Sequence, residues 1–309
     1  MKKIVFIGKF FPEVCYESLF NYLIIREMKS SGNYVILISD SWNRCHGNNF
    51  IGKEENASDI IDEYYYLDPV QLNYSDYNIN VGLIAMVKKV LKFQEVDMVM
   101  TSNIIDYSLV MAYIKEKFSL KVSLIVNDRT VFRFINDDYT GEIAPELIGS
   151  YDKIIASGQF VEYLKVLAFI EKSKIFKKDI QNYAIDNEKS DFTLIFGVVD
   201  NTYFVDNLNE YIKHSKQKLL IVIYGIDREE YEFKLVNKEN VDIKSPSHSG
   251  ELVKYLANAK QVIDCHYFSR CQTLEDYNCV LRKYNNSVMI YNENCGYEPE
   301  VNAEEADVI

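Results

Sequence analysis

The chain has no apolar run long enough to span a bilayer and no charged-then-apolar opening of the kind that marks an export signal. Met1-Lys-Lys leads straight into Ile4-Val-Phe-Ile-Gly8, which reads as a first strand. Clustered basic residues are also missing. With Lys+Arg 34 against Asp+Glu 46 and a net charge of −12, the balance argues against nucleic acid as the main partner, since phosphate contacts need grouped Lys and Arg. The six cysteines include no CxxC pair, so they are expected as reduced thiols in a cytoplasmic protein. No GxGxxG follows a strand, which speaks against a dinucleotide enzyme. Cys265, His266 and Cys271, with His248 as a fourth donor, match no common zinc spacing, so a zinc site is not expected. No Ser/His/Asp or Cys/His arrangement suggests a nucleophile.

What the 309 residues do contain is one repeated grammar of short buried strand, turn and amphipathic helix, enough for two α/β domains. In the first half the strands are Lys3–Gly8, Tyr34–Ser39, Glu63–Leu67, Asp97–Thr101, Lys121–Val126 and Lys153–Ser157, the last closing the half. Helices are expected over Glu13–Ser31, with Gly32 as its stop, and over Ile79–Phe93, Ile104–Phe118 and Gln159–Glu171. Residues 41–58 read as a polar loop. The second half has strands at Phe192–Gly197, Lys218–Gly225, Asn240–Lys244, Gln261–Cys265 and Ser287–Tyr291. Apolar runs this short and rich in β-branched residues imply parallel sheets covered on both faces. The polar stretch Asn182–Asp191 separates the halves, giving domains 1–185 and 186–309.

Parallel sheets of this kind bind ligands at the carboxyl ends of their strands. Lys9 and Glu17 sit on the first such loop and helix; a solvated helical glutamate is the simpler reading of Glu17. Asn127, Asp128 and Arg129 end a central strand, where Asp128 either acts as a base or bonds its own turn. Arg270 precedes a helix start that Thr273 caps with Asp276, a diphosphate site in outline and an ordinary cap otherwise. Residues 160–178 are apolar on one face and basic toward the end, which suits core packing or docking on anionic lipid.

In order and spacing, Ile4-Val-Phe-Ile-Gly-Lys-Phe-Phe-Pro12, Val126-Asn-Asp128, Tyr151-Asp-Lys-Ile-Ile-Ala-Ser157, Lys174-Ile-Phe176 through Asn182-Tyr-Ala-Ile-Asp186, Gly197, Tyr224-Gly225, Glu251–Ala259 and Gly296-Tyr-Glu-Pro-Glu-Val301 form one series. That series resembles the retaining GT-B glycosyltransferases of bacterial surface-polysaccharide synthesis. It implies two Rossmann-like domains facing across a cleft, the second one short, with no covalent cofactor and no obligatory metal. A sugar would pass with retained configuration from a nucleotide-sugar donor to a surface-glycan or lipid-linked acceptor, with possible contact at the inner membrane face. On this reading Gly197, Gly225, His248, His266, Arg270 and Thr273 bind the donor, and Lys9, Glu17, Asn127 and Arg129 bind the acceptor. Asp128 and Glu275 are the catalytic carboxylates. The pattern also departs from the family. Gly197-Val-Val-Asp-Asn-Thr-Tyr-Phe204 has no Arg or Lys where the family offsets diphosphate charge, and the family's E-x7-E positions are not acidic, with Glu275 out of register. These departures favour the alternative of a catalytically silent relative that supports an active transferase subunit.

Overall fold

Lys3-Ile-Val-Phe-Ile7 forms β1, the central strand of an eight-stranded sheet in the first of two units, Met1–Gln181 and Asn182–Ile309. The computed structural model describes residues 1–11, 16–39, 51–54, 60–67, 76–93, 95–126, 145–168, 170–183, 190–196, 209–222, 239–244, 246, 249–264, 279–292 and 296–297.

The other strands of the first unit are β2 (Tyr34–Ser39), β3 (Ile51–Glu54), β4 (Glu63–Leu67), β5 (Met98–Thr101), β6 (Val122–Val126), β7 (Lys153–Ala156) and β8 (Ile175–Lys177). Their order is β3-β4-β2-β1-β5-β6-β7-β8, parallel throughout except for the β3–β4 pair. The chain winds outward from β1 through β2, and then back from β5 through β8. The topological switch point therefore lies between β1 and β5, where strand ends part and leave room for a ligand.

Helices α1 (Tyr16–Ser30), α2 (Asp76–Phe93), α3 (Ile104–Phe118) and α4 (Gly158–Val166) cover the sheet. Side chains alternate across each strand. Val5, Ile7, Val99, Leu124, Val126 and Ile154 share one core with α2, α3 and α4. Ile4, Phe6, Met100, Ile125 and Ile155 point to the other side, that of α1, whose Leu19, Phe20, Leu23 and Ile24 are buried. Helix α1 ends in a Schellman motif. Gly32 takes φ +76, its N–H bonds Lys29 O at 2.9 Å, and Asn33 N–H bonds Met28 O at 3.4 Å.

Three expectations need correction. Residues 41–58 are not all loop, because β3 pairs with β4 inside them. The helix expected to reach Glu171 stops at Val166, where Leu167 turns extended at φ −76, ψ 119. A 3-10 turn at Lys172–Lys174 then feeds β8, so β7 does not close the sheet. Within residues 160–178, Phe160, Val161, Leu164 and Ile170 belong to the core, while Tyr163, Val166 and Phe176 are exposed.

The second unit holds β9 (Ser190–Phe196), β10 (Leu219–Val222), β11 (Val241–Lys244), α5 (Ser249–Asn258), β12 (Ala259–Asp264), β13 (Val288–Asn292) and β14 (Gly296–Tyr297). The order is β11-β10-β9-β12-β13-β14, parallel except for the last short hairpin strand, which the sequence did not suggest. Its switch point lies between β9 and β12. Buried Asn285 ties this sheet to α5, donating to Leu256 O at 2.9 Å and Ala259 O at 2.7 Å while accepting from Ser287 N–H. Both units are Rossmann-like. Among the described residues no helix is long and apolar enough to cross a membrane.

Candidate functional site

At the switch point of the first unit three chain segments converge. Strand β1 runs out at Gly8, whose N–H bonds Ile38 O at 3.1 Å. Helix α1 folds back over this end and presents Glu17 and Asn21, one turn apart and so on one face. Strand β5 ends at Thr101, and Asn103 caps α3 with β-region dihedrals (φ −116, ψ 114), its Oδ1 accepting Asp106 N–H at 3.0 Å.

Glu17 is the hub. Its Oε1 accepts the Lys9 backbone N–H at 3.1 Å and the Asn21 amide at 3.5 Å, and its Oε2 accepts the Asn103 amide at 2.8 Å. Asn21 also donates to Lys9 O at 2.8 Å and accepts Ser102 Oγ–H at 2.5 Å. The Asn103 amide nitrogen also donates to Asp106 Oδ2 at 2.7 Å, so one amide joins two carboxyl groups. Glu17 is 7% exposed and Asn21 fully buried. Burial, and next the negative charge of Asp106, push the Glu17 carboxyl up from 4.5 to about 8, against the opposing pull of Lys9 and Asn103. A carboxyl that titrates near neutrality at a strand-end switch point is equipped to take up or release a proton.

Gly8 makes room for this arrangement. A Cβ there would stand 2.7 Å from Asn21 Nδ2 and 2.9 Å from Phe6 Cε1. Gly8→Ala is therefore expected to cost about 1–3 kcal/mol in a urea melt, and to detach Asn21 from Glu17. An unchanged midpoint would show that the cluster yields easily.

Of the residues singled out from sequence, Lys9 and Glu17 come together here. The expected solvated glutamate is a buried one, because β5 lies beside β1 and carries Asn103 across it. Asn127, Asp128, Arg129, Gly197, Gly225, His248, His266, Arg270, Thr273 and Glu275 lie outside the described residues. The sequence assigned no role to Asn21, Ser102, Asn103 or Asp106. Asn103-Ile-Ile-Asp106 is itself a cap-and-acid signature that could have drawn attention to this turn. The sequence likewise assigned no role to Asp264, fully buried at the end of β12 and in register with Phe196 of β9, beside the switch point of the second unit. Among the described residues no group of His, Cys, Asp and Glu could hold a metal ion.

No family model matches the chain, and no curated protein matches it. Solved structures do resemble it in fold. Arabidopsis thaliana UGT89C1 complexed with UDP superposes with a TM-score of 0.56 at 9% identity, over 97% of this chain and 88% of that one. A putative UDP-N-acetylglucosamine 2-epimerase from Listeria monocytogenes gives 0.54 at 11% identity, over 85% and 74%. A ugt transferase from Siraitia grosvenorii in complex with UDP gives 0.53 at 9% identity, over 94% and 81%. Identities this low establish the architecture alone: a GT-B-like fold of two Rossmann-like units.

Proposed function

We propose that the protein is a glycosyltransferase that moves a sugar from a nucleotide-sugar donor to a hydroxyl of a glycan or lipid-linked acceptor. The observation that carries this reading is Glu17, a buried carboxyl held near neutral titration at the switch point of the first unit. The fold supports it, since the Arabidopsis and Siraitia structures of the same architecture are named as UDP complexes. On this reading Glu17 accepts the proton of the acceptor hydroxyl, whose oxygen bonds the anomeric carbon as the bond to the diphosphate breaks and the diphosphate leaves with the electron pair. That is a single displacement with inversion. Retention, the outcome implied by the sequence resemblance, would leave Glu17 only orienting the hydroxyl, and the anomeric NMR signal of the product separates the two.

On this reading domain 1–185 binds the acceptor through Lys9, Asn127 and Arg129, domain 186–309 binds the donor through Gly197, Gly225, His248, His266, Arg270 and Thr273, and Asp128 and Glu275 are further catalytic candidates. A thermal-shift panel of UDP, GDP, CDP, ADP and their sugars tests the donor. A ligand at ten times its Kd is expected to stabilise the fold by about 1.4 kcal/mol. No shift with any of them overturns the reading. The absence of Arg and Lys from residues 197–204 favours one rival, a silent subunit. Nucleotide-sugar binding without turnover until a partner is added would establish that rival.

A further inference from the structure

We propose that the first unit carries a second site, one that takes the hydrocarbon chain of a single-chain anionic amphiphile. It stands whether or not a sugar is transferred at Glu17. The site is a cavity of about 460 Å³ on the α1 side of the sheet, floored by Ile4, Met98, Met100, Ile125 and Ile155. The volume suits a small-molecule ligand. Glu27, on its wall, lies ten residues beyond Glu17 on α1, roughly 15 Å along the helix axis.

Topology leaves this space. Helices α2, α3 and α4 all pack on the opposite face, so among the described residues α1 is the one helix on this side and it lies over the β1 end. A parallel sheet is ordinarily covered on both faces. Ile4, Met100, Ile125 and Ile155 are only 4–9% exposed, so little of this floor is open, and a slender alkyl chain suits it better than a helix some 10–12 Å across.

The mouth sets the sign of the head group. Lys153 and Lys178 stand there in a chain whose net charge is −12. Lys178 Nζ reaches across to Glu27 Oε1 at 2.7 Å. The other oxygen of Glu27 is buried without a hydrogen-bond partner, an arrangement that costs free energy. An anionic head between Lys153 and Lys178 takes the place of Glu27 as counter-ion of Lys178. Phe176, half exposed on β8 with Lys153 Nζ 4.5 Å above its ring, extends the apolar surface past the mouth.

Methionine methyl groups report on this site directly. Met28, Met98 and Met100 line the cavity, whereas Met86 and Met111 lie in the core of the opposite face. With methyl-¹³C methionine in the full chain, laurate below its micellar concentration is expected to move the Met98 and Met100 signals saturably and leave Met86 and Met111 in place. The double variant Lys153→Glu, Lys178→Glu, checked for folding by its melt, is expected to weaken laurate about tenfold and to leave dodecanol unaffected. The proposal is overturned by no movement up to about 1 mM laurate, by equal movement of Met86 and Met111, by equal affinity for dodecyltrimethylammonium, or by a double variant that binds laurate as the wild type does.

Discussion

Glu17→Gln is expected to raise stability at about pH 9 and to flatten a decline that the wild type shows between about pH 5 and 8. The sign follows from proton uptake. In the unfolded chain the carboxyl titrates near its ordinary 4.5, and in the folded chain near about 8. Between those values the folded state holds a proton that the unfolded state has released, so stability falls as pH rises, and it levels off once both forms are ionised. At 1.36 kcal/mol per pH unit the full effect approaches roughly 5 kcal/mol, an upper figure because solvent relaxation around the charge reduces it. Set against a total stability of about 5–15 kcal/mol for an ordinary domain, this is large. Glutamine keeps an acceptor for the Lys9 N–H but sets its NH2 against the Asn103 amide, a cost that does not vary with pH; because it carries no charge, its profile should lack this step. Circular dichroism of the two sheets and their helices follows the unfolding. Parallel profiles for wild type and variant would falsify the assignment of a raised Glu17.

The central strands were legible because each is a short β-branched run bounded by polar residues, and Tyr34–Ser39 and Glu63–Leu67 match their expected limits. Helix α3 was legible for the same kind of reason, an apolar period of 3.6 starting from a cap. Strands β3, β8 and β14 were not. They have four, three and two residues and lie at sheet edges, where their hydrogen-bond partners define them and no hydrophobic pattern does. The site divides in the same way. That Asn103 caps a helix can be read from four residues. That it also grips Glu17, 86 positions away, depends on β5 docking beside β1. A glutamate in the first turn of a helix favours solvent by its charge and complements the helix dipole there, so local rules point outward. Only the crossing of three strand-end segments turns Glu17 inward.

The same ionisation governs the second large effect. If Glu17 takes the acceptor proton, only its ionised form works, and at pH 7 that is about a tenth of the molecules. Once a donor and acceptor pair is in hand, kcat/KM is expected to climb about tenfold per pH unit below 8 and to level off above it. Glu17→Gln, which cannot take the proton at any pH, is expected to lose about 10²–10⁴-fold in kcat/KM and to lose the climb as well. Asp106→Asn supplies the control. Asp106 is the second cause of the raised carboxyl, and the asparagine still offers an oxygen to the Asn103 amide. Removing its charge is expected to move the inflection to lower pH, so that this variant exceeds the wild type at about pH 6 and equals it at about pH 9. A substitution that raised activity in acid while leaving the alkaline plateau alone could not act through general damage to the fold. The inflection in rate and the inflection in stability should then shift together in Asp106→Asn, since both report one carboxyl. A wild-type rate that stays flat across this range would assign Glu17 to holding β1, α1 and α3 together, and the proton would have to go to another group.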